Sequence, residues 1–119
     1  MKRFVVTLAI LAMVGCNGES EAPDAGPAIA EDKGCAGCHS SDGSESVGPT
    51  WKGLFGSRVE LDDGAVVTAD EAYLRESMLM PSAKTVKGFP TGLMETVIKP
   101  NSLSNQEVEE LIAYIKTLK

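Results

Sequence analysis

Cys35-Ala36-Gly37-Cys38-His39 is the stretch from which the rest of the chain is read. Two thiols three residues apart, followed at once by an imidazole, have the spacing of a covalent c-type haem attachment site. Each thiol can form a thioether with one of the porphyrin's two vinyl groups, and the adjacent imidazole then binds the iron from the proximal side. Cysteine pairs also serve other chemistry, but the setting here disfavours it. A thioredoxin-like dithiol belongs to a βαβ unit, and no strand pattern precedes Cys35. A tetrahedral zinc site needs four ligands. Beyond the pentapeptide the chain has no further histidine, and its one other cysteine is Cys16.

Upstream, Met1-Lys2-Arg3 is a short basic start, and Phe4 to Gly15 is a twelve-residue apolar stretch. That length suits the apolar region of a signal peptide (1–15) and is short of the roughly 20 residues a spanning helix needs. It closes on Met13-Val14-Gly15-Cys16, which looks like a bacterial lipobox with Met13 in place of the usual Leu. Cys16 would then be lipidated and become the first residue of the mature chain. The alternative is an ordinary secretory signal cut nearby, which leaves Cys16 an odd thiol in an exported protein; a lipid explains that residue better. Export also suits the haem, because c-type haems in bacteria are attached outside the cytoplasm. A periplasmic or otherwise extracytoplasmic location, anchored to a bacterial membrane by the lipid, is expected.

Asn17 to Pro27 (NGESEAPDAGP) is polar and acidic with no large apolar residue, the composition of a disordered tether. Eleven such residues span about 20 Å root-mean-square. The expected organisation is therefore a signal peptide over 1–15, a lipidated cysteine with its tether over 16–27, and one small domain over 28–119. With Lys2 and Arg3 removed, nine basic residues face 17 acidic ones, a net charge of −8 against −6 for the whole chain. That balance argues against nucleic acid, whose phosphates need a basic footprint, and against binding anionic lipid head groups by charge. It suits a protein partner with a basic docking patch, although acidity alone also serves solubility.

Within the domain, a short helix is expected from about Ala28 to Lys33, running into Gly34-Cys35. Ser40 to Gly48 is loop by composition, and Pro49 to Gly56 is an apolar loop carrying Trp51, Leu54 and Phe55. Leu61-Asp62-Asp63-Gly64 signals a turn, with Ala65-Val66-Val67 a short extended piece. Thr68-Ala69-Asp70-Glu71 matches a capping box, opening a helix that ends before Pro81. Ser104-Asn105-Gln106-Glu107 is a second box, and Val108, Leu111, Ile112, Ile115 and Leu118 form one apolar stripe behind it. Three helices and almost no sheet make an all-α fold, with a marginal core for its size unless loops and helices pack on a haem.

The lone histidine excludes bis-histidine ligation within the chain, and a thioether is the natural second ligand. Met1 and Met13 leave with the signal. Met78 continues the apolar face of its helix, where a core role suits it. Met80 ends that helix against Pro81. Met94 lies in the Gly- and Pro-rich loop from Gly88 to Pro100, where the backbone can present sulfur to iron, and is favoured. Ligation by Met80 or a five-coordinate iron stays open.

Five stretches recur in order: Gly34-Cys35-x-x-Cys38-His39-Ser40, Val47-Gly48-Pro49-Thr50-Trp51-Lys52-Gly53-Leu54-Phe55-Gly56-Ser57, Ala69-Asp70-Glu71-x-Tyr73-Leu74-x-x-Ser77, Gly88-Phe89-Pro90-x-x-x-Met94, and Leu103-Ser104 through Leu111-Ile112-Ala113-Tyr114-Ile115-Lys116. On these residues the chain, from about Gly26 to Leu118, resembles the class I cytochrome c family, especially the domains fused to subunit II of bacterial haem–copper oxidases. The resemblance implies a small class I fold wrapped around one covalently bound haem c. It implies thioethers on Cys35 and Cys38, and axial ligation by His39 and Met94. The Pro49 carbonyl would accept from the outer nitrogen of His39, and Trp51 would lie against the haem. Arg58 is a propionate candidate, one place on from the position where the mitochondrial branch carries its Arg, here Ser57. First and last helices would cross, with Gly26 and Ile29 near Ile112 and Tyr114. Two departures stand out: Glu95 replaces the usual Pro after the axial Met, and Ala30 replaces a first-helix aromatic, which predicts a thinner contact.

The expected function is electron transfer by a monomeric, lipid-anchored monohaem carrier that passes single electrons between redox protein partners, a donor complex and a terminal oxidase or similar. It would not be an enzyme. Two alternatives are a haem subunit permanently docked to such an oxidase, and a haem enzyme or sensor with an open sixth site. For the latter, Glu95 is the one carboxylate close in sequence to a ligand.

Overall fold

Caps and a 3.6-residue apolar stripe make helices, and the computed structural model, which describes residues 25–119, has three. They are α1 (Ala25–Asp32), α2 (Glu71–Leu79) and α3 (Asn105–Thr117). The expected signal peptide, the Cys16 lipidation site and the tether as far as residue 24 lie outside the described residues. Among the described residues no helix is long and apolar enough to cross a membrane.

The sequence specifies α3 best. The Glu107 backbone N–H donates to the Ser104 hydroxyl at 3.2 Å while the Ser104 N–H donates to the Glu107 carboxylate at 2.7 Å, so two donors orphaned at the helix start are satisfied reciprocally. Val108, Leu111, Ile112 and Ile115 are buried as the stripe predicts. Glu107 also pairs with Lys33, just past α1, at 2.8 Å. Hydrogen bonds from Lys33 and then from Ser104 hold its carboxyl down to about 2. The link between the two segments therefore stays ionised well into acid.

The first helix begins at Ala25, three residues before the expected Ala28, and takes in the last residues assigned to the tether. Pro27 is no obstacle there, because a first-turn N–H has no intrahelical partner to lose. Ala30 is buried against α3. The crossing is made by close backbone approach rather than by an interposed ring: a Cβ built on Gly26 would lie 2.3 Å from Tyr114 Cβ and 2.7 Å from the Glu110 carbonyl oxygen.

The second helix is capped by Asp70, whose carboxylate accepts from the Tyr73 N–H at 2.8 Å, and not by Thr68 as the sequence predicts. The reason is a strand. Arg58–Glu60 (β1) and Val66–Thr68 (β2) form an antiparallel hairpin in which Arg58 pairs with Thr68, so Thr68 is already committed. The hairpin turns at the expected Leu61–Gly64. It is extended by a bridge from Leu61 to Val86, and the Lys87 N–H donates to the Glu60 carbonyl at 3.0 Å. This small sheet is an addition to the otherwise helical and looped fold. The main core gathers Leu74, Met78, Ile98 and Leu103 around α3, and a second cluster of Val59, Leu61 and Ala69 lies under the hairpin.

Candidate haem site

The chain leaves α1 through Gly34, whose φ of +77° favours a residue without Cβ, and enters a 3-10 turn over Cys35–Gly37. The Cys38 and His39 N–H groups both donate back to the Cys35 carbonyl, at 3.1 and 2.9 Å. This one tight turn sets both thiols and the imidazole against a common cleft. The two cysteines are unbonded to each other. Burial pushes the Cys35 thiol up, away from the thiolate that disulfide exchange requires. Among the described residues no cluster of three or more His, Cys, Asp or Glu is placed to hold a metal ion.

The imidazole is fixed from behind. Its Nδ1–H donates to the Pro49 carbonyl at 2.7 Å, which leaves Nε2 as the free lone pair and orients the ring. Burial lowers the His39 pKa against the opposing pull of that bond, so the ring is neutral and able to ligate. Gly48 allows the close approach: a Cβ there would meet His39 Cε1 at 2.8 Å. Its N–H donates to the Cys38 carbonyl at 2.8 Å. Ser40 and Thr50 exchange hydroxyl contacts, and the Trp51 N–H donates to the Ser40 carbonyl at 2.8 Å. The loop from 40 to 51 is therefore a clasp on the imidazole. Trp51 is buried and stacks on His39, with centroids 5.2 Å apart and planes 14° from parallel, and it packs at right angles to Tyr114 with centroids 6.1 Å apart. Its ring supports the proximal ligand directly, a role that its sequence position alone did not reveal.

The cleft has a volume of about 440 Å³, within the range of cofactor pockets. Cys35, Cys38, His39, Pro49, Trp51, Arg58 and Met94 all line it, so the structure brings together every candidate of the 28–119 domain. Met94 is half-buried and opens a 3-10 turn, Met94–Thr96. Met78 also lines the cleft but is 6% exposed and packed in the main core, whereas Met80 is 56% exposed. Arg58 projects from β1 as an exposed residue. Glu95 is half-buried in the Met94 turn. Leu54, Leu74, Ile98 and Ile115 supply apolar walls. Among the described residues, three of the five exposed large apolar side chains, Val47, Leu93 and Val97, line the cleft.

A flat apolar macrocycle with two vinyl groups and an iron fits this donor set. Two thiols, one neutral imidazole with a single free nitrogen, and a thioether sulfur converge on an apolar slot. Residues that local sequence reading left without a role are Gly48, visible only as a glycine within the motif, and Lys84 and Lys87. The two lysines reach the cleft through long-range pairing that leaves no local signal.

A sequence profile of the cytochrome c family matches residues 23–119. Fourteen chains among the solved structures match. One is cytochrome cH from Methylobacterium extorquens, 27% identical, with a TM-score of 0.50 over 76% of this chain and 96% of that chain. No curated protein matches the sequence significantly.

Proposed function

Because the chain belongs to the cytochrome c family, and so transfers electrons through one covalently bound haem c and is not an enzyme, we propose that it is a membrane-tethered carrier with His/Met-ligated iron. Cys35 and Cys38 would hold the macrocycle and His39 Nε2 and the Met94 sulfur would ligate its iron, while Pro49 and Trp51 fix the imidazole. The haem supplies a one-electron couple whose potential a Met/His pair raises. What the chain adds is orientation, exclusion of water by the apolar walls, and exposed apolar side chains at Val47, Leu93 and Val97 on the cleft's lining. The observation that carries the reading is the cleft on which the Cys35–His39 turn and Met94 converge, with Nδ1–H held by Pro49 at 2.7 Å.

Residues 1–15 serve as the signal peptide, and the lipid on Cys16 holds the domain at the membrane in the extracytoplasmic space. The ordered likeness to domains fused to oxidase subunit II makes a terminal oxidase the natural acceptor, met by a monomer.

The test is the absorption spectrum of protein matured in a host that attaches haem c. A low-spin spectrum with the weak far-red sulfur–iron band, unchanged by carbon monoxide after reduction, is expected. A high-spin spectrum that shifts with carbon monoxide overturns the carrier reading and favours an open sixth site. The tether has its own test. Cys16→Ser moves the protein from the membrane fraction to the soluble extracytoplasmic fraction. Its retention on membranes would refute the anchor.

A further inference from the structure

A short ladder ties residues 38–40 to residues 48–51. The Gly48 N–H donates to the Cys38 carbonyl at 2.8 Å, the His39 ring donates to the Pro49 carbonyl at 2.7 Å, and the Trp51 N–H donates to the Ser40 carbonyl at 2.8 Å. The carbonyl that holds the imidazole is therefore the middle rung. Proline has no N–H, so Pro49 has no donor with which to anchor itself, and its neighbours decide where its carbonyl points. The Gly48 and Trp51 rungs are main-chain bonds. Beside them stands one made by a side chain: the Thr50 hydroxyl donates to the Ser40 carbonyl at 3.1 Å, lies 2.8 Å from the Ser40 hydroxyl, and accepts from the Lys52 N–H at 3.2 Å. Ser40 is tied in turn to the Ser44 carbonyl at 2.6 Å, and the Asp42 carboxylate accepts from the Ser44 N–H and hydroxyl at 2.9 and 2.7 Å. Residues 41–47 are exposed, so hydroxyls and a carboxylate, not apolar burial, give this loop its shape. A second cleft, of about 280 Å³, opens behind the imidazole and is lined by His39, Ser40, Asp42 and Ser44 among others. Water in that cleft can compete for the Nδ1–H.

We propose that Thr50 is a positioning residue for the proximal ligand: its hydroxyl, locked to Ser40, holds the adjoining Pro49 carbonyl on His39 Nδ1–H and so sets the midpoint potential of the iron. The proposal rests on His39 ligating a haem bound in the main cleft. A hydrogen bond given by Nδ1–H makes the imidazole a more basic ligand, and a more basic ligand favours ferric over ferrous iron. Hydrogen bonding behind the axial ligands is one of the means by which a protein tunes such a couple. With the Thr50 hydroxyl in place the carbonyl is pinned from both sides, by Gly48 on Cys38 and by Thr50 and Trp51 on Ser40. Without it the Trp51 N–H alone holds that side, the carbonyl swings, and the Nδ1–H bond lengthens toward the second cleft. The potential then rises.

The experiment uses the full chain matured with haem c and labelled with 15N-histidine, read by midpoint potential and by the rate at which the His39 Nδ1–H of the reduced protein exchanges with solvent. Thr50→Val keeps the branched shape and removes the hydroxyl. Its potential is expected to rise by about 30 mV, a change of about threefold in the preference for ferrous over ferric iron. Its Nδ1–H should exchange about fivefold faster, the worth of one neutral hydrogen bond. Thr50→Ser restores the hydroxyl and should return both readouts to wild type. Ser40→Ala removes the other half of the contact and should move both in the same direction, which keeps the test open if Thr50→Val matures poorly. Ser41→Ala, at an exposed serine of the same loop, should move neither. A potential and exchange rate that stay at wild-type values in Thr50→Val and Ser40→Ala, that fail to recover in Thr50→Ser, or that move as far in Ser41→Ala, overturn the assignment alone. A wild-type chain that carries no thioether-bound haem overturns the proposed function and this assignment with it.

Discussion

Met94→Ala is expected to lower the midpoint potential by about 120 mV, the equivalent of a hundredfold loss of preference for ferrous over ferric iron in a one-electron couple. The sign follows from the thioether, a soft neutral donor that favours the reduced metal. The far-red sulfur–iron band should vanish, and carbon monoxide should bind the reduced protein at the vacated position. Packing offers a rival account, since Met94 is half-buried against the main core and its truncation removes apolar contact whatever its ligand role. That loss costs about 2 kcal/mol, near the lower end for such truncations, and lowers the unfolding temperature without altering the spectrum. Met94→His separates the two accounts. It should keep a low-spin iron closed to carbon monoxide while the potential still falls. An unchanged potential and spectrum in Met94→Ala would move the axial role elsewhere. Met78 would be the next candidate, since Met80 is mostly exposed.

The parts of the molecule that could be read from sequence are those whose cause is local. The Cys35–His39 turn is set by spacing that covalent chemistry imposes. The last helix is written in a capping box and an apolar stripe, and each of Val108, Leu111, Ile112 and Ile115 is buried as written. The misplacements all come from competition over distance. Thr68 and Asp70 are both able to cap a helix, and pairing of Thr68 with Arg58 decides between them. The strand Arg58–Glu60 has one apolar residue between two charged ones, too short a run for a period of two to stand out. The start of α1 is hidden by Gly26 and Pro27, which read as linker yet serve a helix start pressed against a partner. Of the residues that line the cleft, Cys35, Cys38, His39, Pro49 and Met94 stand out in the sequence because each sits in a motif. Lys84 and Lys87 do not, because the register of 84–87 against 58–60 places them and no local pattern encodes it.

That pressure on Gly26 yields the second large effect, and intrinsic propensity points the wrong way. Alanine is favoured over glycine inside a helix by about 1 kcal/mol, so Gly26→Ala taken alone should stabilise α1. In the fold, the added Cβ would lie 2.3 Å from Tyr114 Cβ and 2.7 Å from the Glu110 carbonyl oxygen. Neither neighbour is the end of a flexible side chain, so α1 and α3 must separate. Overpacking of this kind costs about 3 kcal/mol at its upper range, which leaves a net loss of about 2 kcal/mol after the propensity gain. For a domain of this size that is a fall of about 10 °C in unfolding temperature. The disturbance should also reach the haem site, because Tyr114 packs at right angles to Trp51 and Trp51 stacks on His39. Thermal unfolding followed by far-ultraviolet circular dichroism, with the visible spectrum recorded in parallel, measures both effects. Gly37→Ala provides the comparison, since a Cβ there meets nothing within 4 Å and should leave the unfolding temperature near that of the wild type. A Gly26→Ala protein that unfolds at or above the wild-type temperature would show that the helices have room to spare, and the close crossing would have to be abandoned.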